Sequence, residues 1–198
     1  MSDNGERGVA LVIVMMTITL LTALGAAVTL ATITETAIAA NYRDAVEALH
    51  AAEGAVEFVM QELAGVADWS DVIAGSGRSA FVDGPAGGSR TVGAVSLDLT
   101  QATVDANAIA TPTPGSASPP SVLYAFGRFQ ALVASGTGRS QVYVAVWVAD
   151  RSSVPGEPDT LSVLGQGYGP RGGRRAVEAI VRKTESSAVR VLYSREVR

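Results

Sequence analysis

Cysteine is absent from the chain. No disulfide can brace the fold, and a thiol nucleophile or a cysteine metal site is excluded. Histidine occurs once, at His50 on a helical stretch beside Glu47 and Glu53. A solvated or packing role is the default for it, and no Ser–His–Asp or paired-carboxylate arrangement stands out. The glycine stretches Gly75–Arg78, Gly136–Ser140 and Gly169–Arg175 lack the Gly-Lys-Ser/Thr of a phosphate loop, so they read as turns. The chain therefore reads as no enzyme, and no cofactor is implied. Proline is missing before Pro85, so nothing breaks a helix in the first third.

The decisive absence is charge. From Val9 to Thr34, 26 residues carry no Asp, Glu, Lys, Arg or His. As a helix this run is about 39 Å long, more than the roughly 30 Å of a bilayer core. A secretory signal peptide would be shorter and would end in a small-residue cleavage site. A short polar leader, residues 1–8, abuts the apolar run at Gly8–Val9. Beyond Thr34 the apolar positions are Ile38, Tyr42, Val46, Leu49, Ala52, Val56, Val59 or Met60, and Leu63. Steps of three and four put them on one helical face. Leu49, Val56, Val59 and Leu63 are thus expected to pack on a domain. Gly65 fits a helix stop.

The expected layout is a leader at 1–8, a transmembrane half of the helix at 9–34 and an amphipathic half at 35–64. A variable loop region at 65–122 and an antiparallel β-sheet region at 123–198 follow. The fold class is α+β. Net charge is −4, which gives DNA binding no support from bulk charge. Charge is uneven, however. Residues 35–110 hold eleven acids and three arginines, and residues 171–198 hold eight bases and three acids. Complementarity between helix and sheet is the simpler reading. A basic strand surface drawn to DNA or another anionic polymer is the sharper one.

After the helix the residues 68–73 read as a helical turn with Asp68 as N-cap and Trp69 as an anchor against the long helix. Residues 74–93 read as loop. Residues 97–109 fit a helix or a strand, with a short helix favoured. Residues 111–120 read as an extended Pro/Ser/Thr linker, and composition alone does not decide whether it is glycosylated. Gln141–Asp150 is the strongest strand, apolar on both faces and so expected to be central. Thr160–Tyr168, Arg174–Lys183 and Ala188–Val197 follow as strands, the last with one polar and one apolar face. Phe126–Ala134 reads as a strand or a short helix.

Three stretches carry a family resemblance: Glu6-Arg7-Gly8 followed by Val9–Val14, then Leu21–Gly25, then Asn41–Glu57 with its Asn-x-Arg-Asp and Ala-Ala-Glu. The N-terminal sixty residues resemble the N-terminal segment of PilX-type minor pilins of type IV pilus assembly. A membrane-length helix running on into an amphipathic one matches the pilin layout. The resemblance implies cleavage between Gly8 and Val9 by prepilin peptidase on the cytoplasmic side, with methylation of the new amine. It implies a single-pass inner-membrane protein with a cytoplasmic N-terminus and a periplasmic C-terminal domain, later incorporated into a fibre. Implied partners are other pilins and minor pilins, prepilin peptidase, the inner-membrane assembly platform and membrane lipid.

Two departures accompany the resemblance. Ile13 stands at the fifth mature position, where major pilins carry a Glu that pairs with a neighbour's amine. Val9 stands where they carry Phe or Met. A subunit without the Glu suits priming or capping rather than repeated addition. The tip pseudopilin of type II secretion shares this lack, so a type II secretion pseudopilin is the alternative. An envelope protein with a binding β-domain and no pilus system is a further one. Some pseudopilins bind calcium in a loop like Asp150–Asp159, which makes Asp150, Glu157 and Asp159 candidate ligands beside the default of a solvated hairpin.

Overall fold

The computed structural model describes residues 4–109, 120–133, 140–152, 158–184 and 188–197. Two compact units make up the chain, Met1–Tyr42 and Arg43–Arg198. Helix α1 runs from Asn4 to Gly65 and contributes to both. The described residues of the first unit are all helical, as the absence of Pro and the continuous apolar run require. The helix ends at Gly65, as its sequence predicts.

In the second unit, α2 (Ser70–Ile73) follows α1, then a hairpin of β1 (Ser89–Val92) and β2 (Val95–Asp98), then α3 (Leu99–Ile109). The chain continues through β3 (Val122–Arg128), α4 (Phe129–Leu132), β4 (Tyr143–Asp150), β5 (Thr160–Tyr168), β6 (Arg174–Lys183) and β7 (Val189–Val197). Strands β3 to β7 form one antiparallel sheet in sequence order, a meander. The fold is therefore α+β, with the C-terminal part of a long apolar helix packed on an antiparallel sheet.

The sheet is covered on both faces. On one face the α1 residues Ala51, Ala55, Val56, Val59 and Leu63 share a core with Val142, Val144, Val146 and Val148. On the other, the α3 residues Leu99, Ala102 and Ala106 share a core with Tyr143, Ala145 and Trp147. The alternation of β4 thus divides between two apolar layers, as its sequence demands. Trp147 donates its indole N–H to Thr103 Oγ1 at 3.0 Å, which fastens α3 to the sheet.

Several expectations change. Residues 74–93 are not all loop, because Ser89–Val92 pairs with Val95–Asp98 around a turn at Gly93, whose φ is +59. Leu97 lies in strand, and the helix expected over 97–109 begins at Leu99. Strand β4 is interior, but the middle place belongs to β5. Phe126–Ala134 contains the end of a strand and a short helix. Strand β7 has no buried residue, and only Val189 and Val197 at its ends pack partly against the cores.

Asp68 caps a helix from outside the cap position. Its Oδ1 accepts the Ser70 N–H at 2.9 Å and the Ser70 hydroxyl at 2.7 Å, although Trp69 holds the N-cap place. Trp69 is buried and donates its indole N–H to the Leu63 carbonyl at 3.0 Å, anchoring the end of α1.

Candidate functional site

The Gly8–Val9 bond lies within α1. Val9, Val12 and Ile13 are 61%, 56% and 57% exposed, and large apolar side chains stay exposed through Ile38 and Tyr42. Seven threonines interrupt this surface, at 17, 19, 22, 29, 32, 34 and 36. Each donates its hydroxyl to the carbonyl four residues before it, at 2.8 to 3.0 Å. A hydroxyl satisfied within its own helix is tolerated in an apolar medium. This is one helix long and apolar enough by length and composition to cross a membrane.

The packing residues of α1 lie in the second unit. Val56, Val59 and Leu63 are buried, whereas Leu49 is half-buried. The closest approach to the sheet runs instead through Ala48, Ala51, Ala52 and Ala55, all at most 1% exposed. These small residues meet Gly165 and Gly167 of β5. A Cβ on Gly165 would lie 3.0 Å from the Ala52 carbonyl oxygen and would overlap Val56. The Leu-Gly-Gln-Gly-Tyr pattern of β5 was the available signal, since glycine inside a strand marks a close backbone approach.

The acids and bases of the uneven sequence meet in pairs. Arg171 reaches Asp44 of α1 at 3.0 Å, and Arg174 reaches Asp105 of α3 at 3.1 Å. The Gln101 amide and then Arg174 hold Asp105 below the usual carboxylate range. Glu178, fully buried on β6, takes Arg195 of β7 at 2.8 Å and the Ser162 hydroxyl at 2.8 Å. His50 Nδ1 lies 3.0 Å from Glu53 on the exposed face of α1. Glu62 pins the segment after α2, accepting the Ser79 hydroxyl and the Ala80 N–H.

The candidate calcium loop gives a different picture. Asp150 accepts the Ser152 N–H at 2.8 Å and the Ser152 hydroxyl at 3.0 Å. Asp159 stands at φ 52, the one non-glycine with positive φ among the described residues. Glu157 lies outside the described residues. Asp150 and Asp159 line an open pocket of about 450 Å³ together with Asp68, Trp69 and Lys183. Lys183 is engaged there by the carbonyls of Val66 and Ala67 and sits over the Trp69 ring at 5.5 Å. Among the described residues no group of three His, Cys, Asp or Glu side chains gathers to hold a metal.

The family comparison falls on the apolar helix. The model for the PilX N-terminal family matches residues 7–57. The PilX family is a structural pilin family, and its segment here covers the Gly8–Val9 junction, Ile13 and the alanine seam. The PilX match, with the one helix among the described residues long and apolar enough to cross a membrane, fits a membrane-anchored, single-pass, pilus-related protein. No curated protein and no solved structure matches the chain.

Proposed function

We propose that this chain is a minor pilin-like subunit that primes or caps assembly of a type IV pilus. One observation carries the reading: a PilX N-terminal match over 7–57 lies on an exposed apolar helix that has Ile13 in place of a carboxylate. In the proposed cycle, residues 1–8 are a leader removed between Gly8 and Val9 by prepilin peptidase. The apolar helix then holds the subunit in the inner membrane, with the sheet domain in the periplasm. Other pilins and minor pilins meet the helix as the assembly platform lifts the nascent fibre.

Position follows from charge. An amine buried in an apolar bundle without a counter-charge costs several kcal/mol. A chain with Ile13 offers no carboxylate to a neighbour's amine, so its favourable place is where no neighbour needs one. Quantitative mass spectrometry of sheared fibres tests this. The expected result is a few copies per fibre. A ratio to the major pilin near one overturns the assignment.

A further inference from the structure

The two edges of the five-stranded sheet are finished differently. The outer edge of β3 is covered by the chain itself. The Ser79 N–H donates to the Tyr124 carbonyl at 3.2 Å, the Phe126 N–H donates to the Phe81 carbonyl at 2.9 Å, and Val82 bridges Phe126 in parallel. On β7, no strand pairs with the outer edge among the described residues. Among the described residues its nine-residue main-chain edge has no partner, and Val191, Leu192 and Tyr193 are 44%, 40% and 45% exposed. An unpaired strand edge with exposed apolar side chains is a template for another strand, although the charges and the bulge of β7 narrow what can pair with it.

Charge says what kind of strand fits. Arg190 stands directly opposite Arg182 in the β6–β7 register. Like charges directly opposite are destabilising. Among the described residues no carboxylate pairs with Arg190. An acidic residue on a strand laid outside β7 would flank Arg190 and give it a counter-charge.

A second copy of this chain fits poorly. The register of β7 slips between Tyr193, opposite Ile180, and Val191, opposite Val181, leaving Leu192 as an extra residue. A two-fold pairing of β7 with itself must match this bulge in both copies. The longest pairing that avoids the bulge, over Tyr193–Val197, centres on Arg195 and sets it against its own copy.

We propose that β7 is a docking edge for one extended, acidic strand of a partner pilin-type subunit. The proposal rests on the pilin reading above. Main-chain hydrogen bonds supply the attachment, the exposed apolar residues supply burial, and Arg190 selects for an acid. The bulge restricts the registers that fit.

Site-specific photo-crosslinking tests it in the full chain in its own membranes. The crosslinking amino acid p-benzoylphenylalanine replaces Tyr193, with Val104 on α3, 59% exposed, as the control position. The expected adduct joins Tyr193 to an extended, Asp- or Glu-containing segment of another pilin-type subunit. Arg190→Glu should lose it, Arg190→Ser should weaken it, and Arg190→Lys should keep it. A melt of each variant checks that the fold survives. An adduct with a second copy only, no adduct at all, or one indifferent to Arg190→Glu overturns the proposal. Failure of the pilin reading looks different: the adduct would form on an acidic strand of a protein that enters no fibre.

Discussion

Gly167 on β5 and Ala48 on α1 stand in backbone contact: a Cβ on Gly167 would lie 2.8 Å from the Ala48 carbonyl carbon and would overlap its oxygen. Helix and sheet can be this close because Gly167 has no side chain and Ala48 only a methyl group. Gly167→Ala should therefore push the helix off the strand. Overpacking of this kind costs about 1–3 kcal/mol, and a rigid main-chain neighbour favours the upper end. The expected outcome is a melting temperature lower by several degrees. Gly173→Ala, with nothing within 4 Å of its Cβ, is the control. Equal melting of the two variants would refute the close crossing.

The α1 core residues should rank by burial. Leu63 is fully buried, so Leu63→Ala is expected to cost about 2–5 kcal/mol. Val56→Ala, with fewer atoms removed at a buried site, should cost less. Leu49→Ala should cost least of the three for its size, because Leu49 is half-buried. Denaturant midpoints would read the order. A Leu49 effect as large as that of Leu63 would place the helix face incorrectly.

Alkaline stability should depend on Tyr143. Its hydroxyl donates to Asp83 Oδ1 at 3.0 Å, and Arg90 Nε donates to the same oxygen at 3.0 Å. Burial first, and the Asp83 charge next, push the Tyr143 hydroxyl well above its ordinary value of 10.0. The folded chain keeps a proton that the unfolded chain releases. Its stabilisation is whole below pH 10 and is lost as the pH rises toward the folded value. Burial likewise raises Tyr168 and Tyr124, so Tyr143→Phe should reduce the alkaline slope of the melting temperature without abolishing it. An unchanged slope would show that Tyr143 does not hold its proton through this contact.

Processing should be visible in the intact mass. Protein extracted from membranes that contain prepilin peptidase should begin at Val9, with an added methyl group. A chain still starting at Met1 under those conditions would remove the leader from the scheme. Ile13→Glu is the companion variant. It should give no gain in fibre incorporation, since an unpaired carboxylate in an apolar bundle is costly. Improved incorporation would move the subunit into the shaft.

The long-range plan was legible because it rests on periodicity. The charge-free run, the three-and-four spacing and the lack of Pro announce α1, and Gly65 announces its end. Strand β4 was legible from its alternating valines, and β5 to β7 from apolar runs bounded by turn residues. The β1–β2 hairpin was not, because Ser89–Val92 is short, polar at all but its last residue and set among glycines. Leu49 misled for a physical reason: the largest apolar residue on a helix face is not the one nearest the sheet when the crossing is close. There alanine sits innermost and leucine flanks it. The pairing of Glu178 with Arg195 could not be read either, since it depends on strand register rather than on local sequence.

The two tryptophans lie in different layers. Trp69 shares the core beneath α1, and Trp147 shares the core beneath α3. The chain thus carries one fluorophore for each side of its sheet, with no other tryptophan to blur the signal. Trp69→Phe would leave an emission that reports only the α3 layer, and Trp147→Phe one that reports only the α1 layer. Followed through the same denaturant series, the two variants would show whether the layers come apart together or whether one side opens while the other still holds.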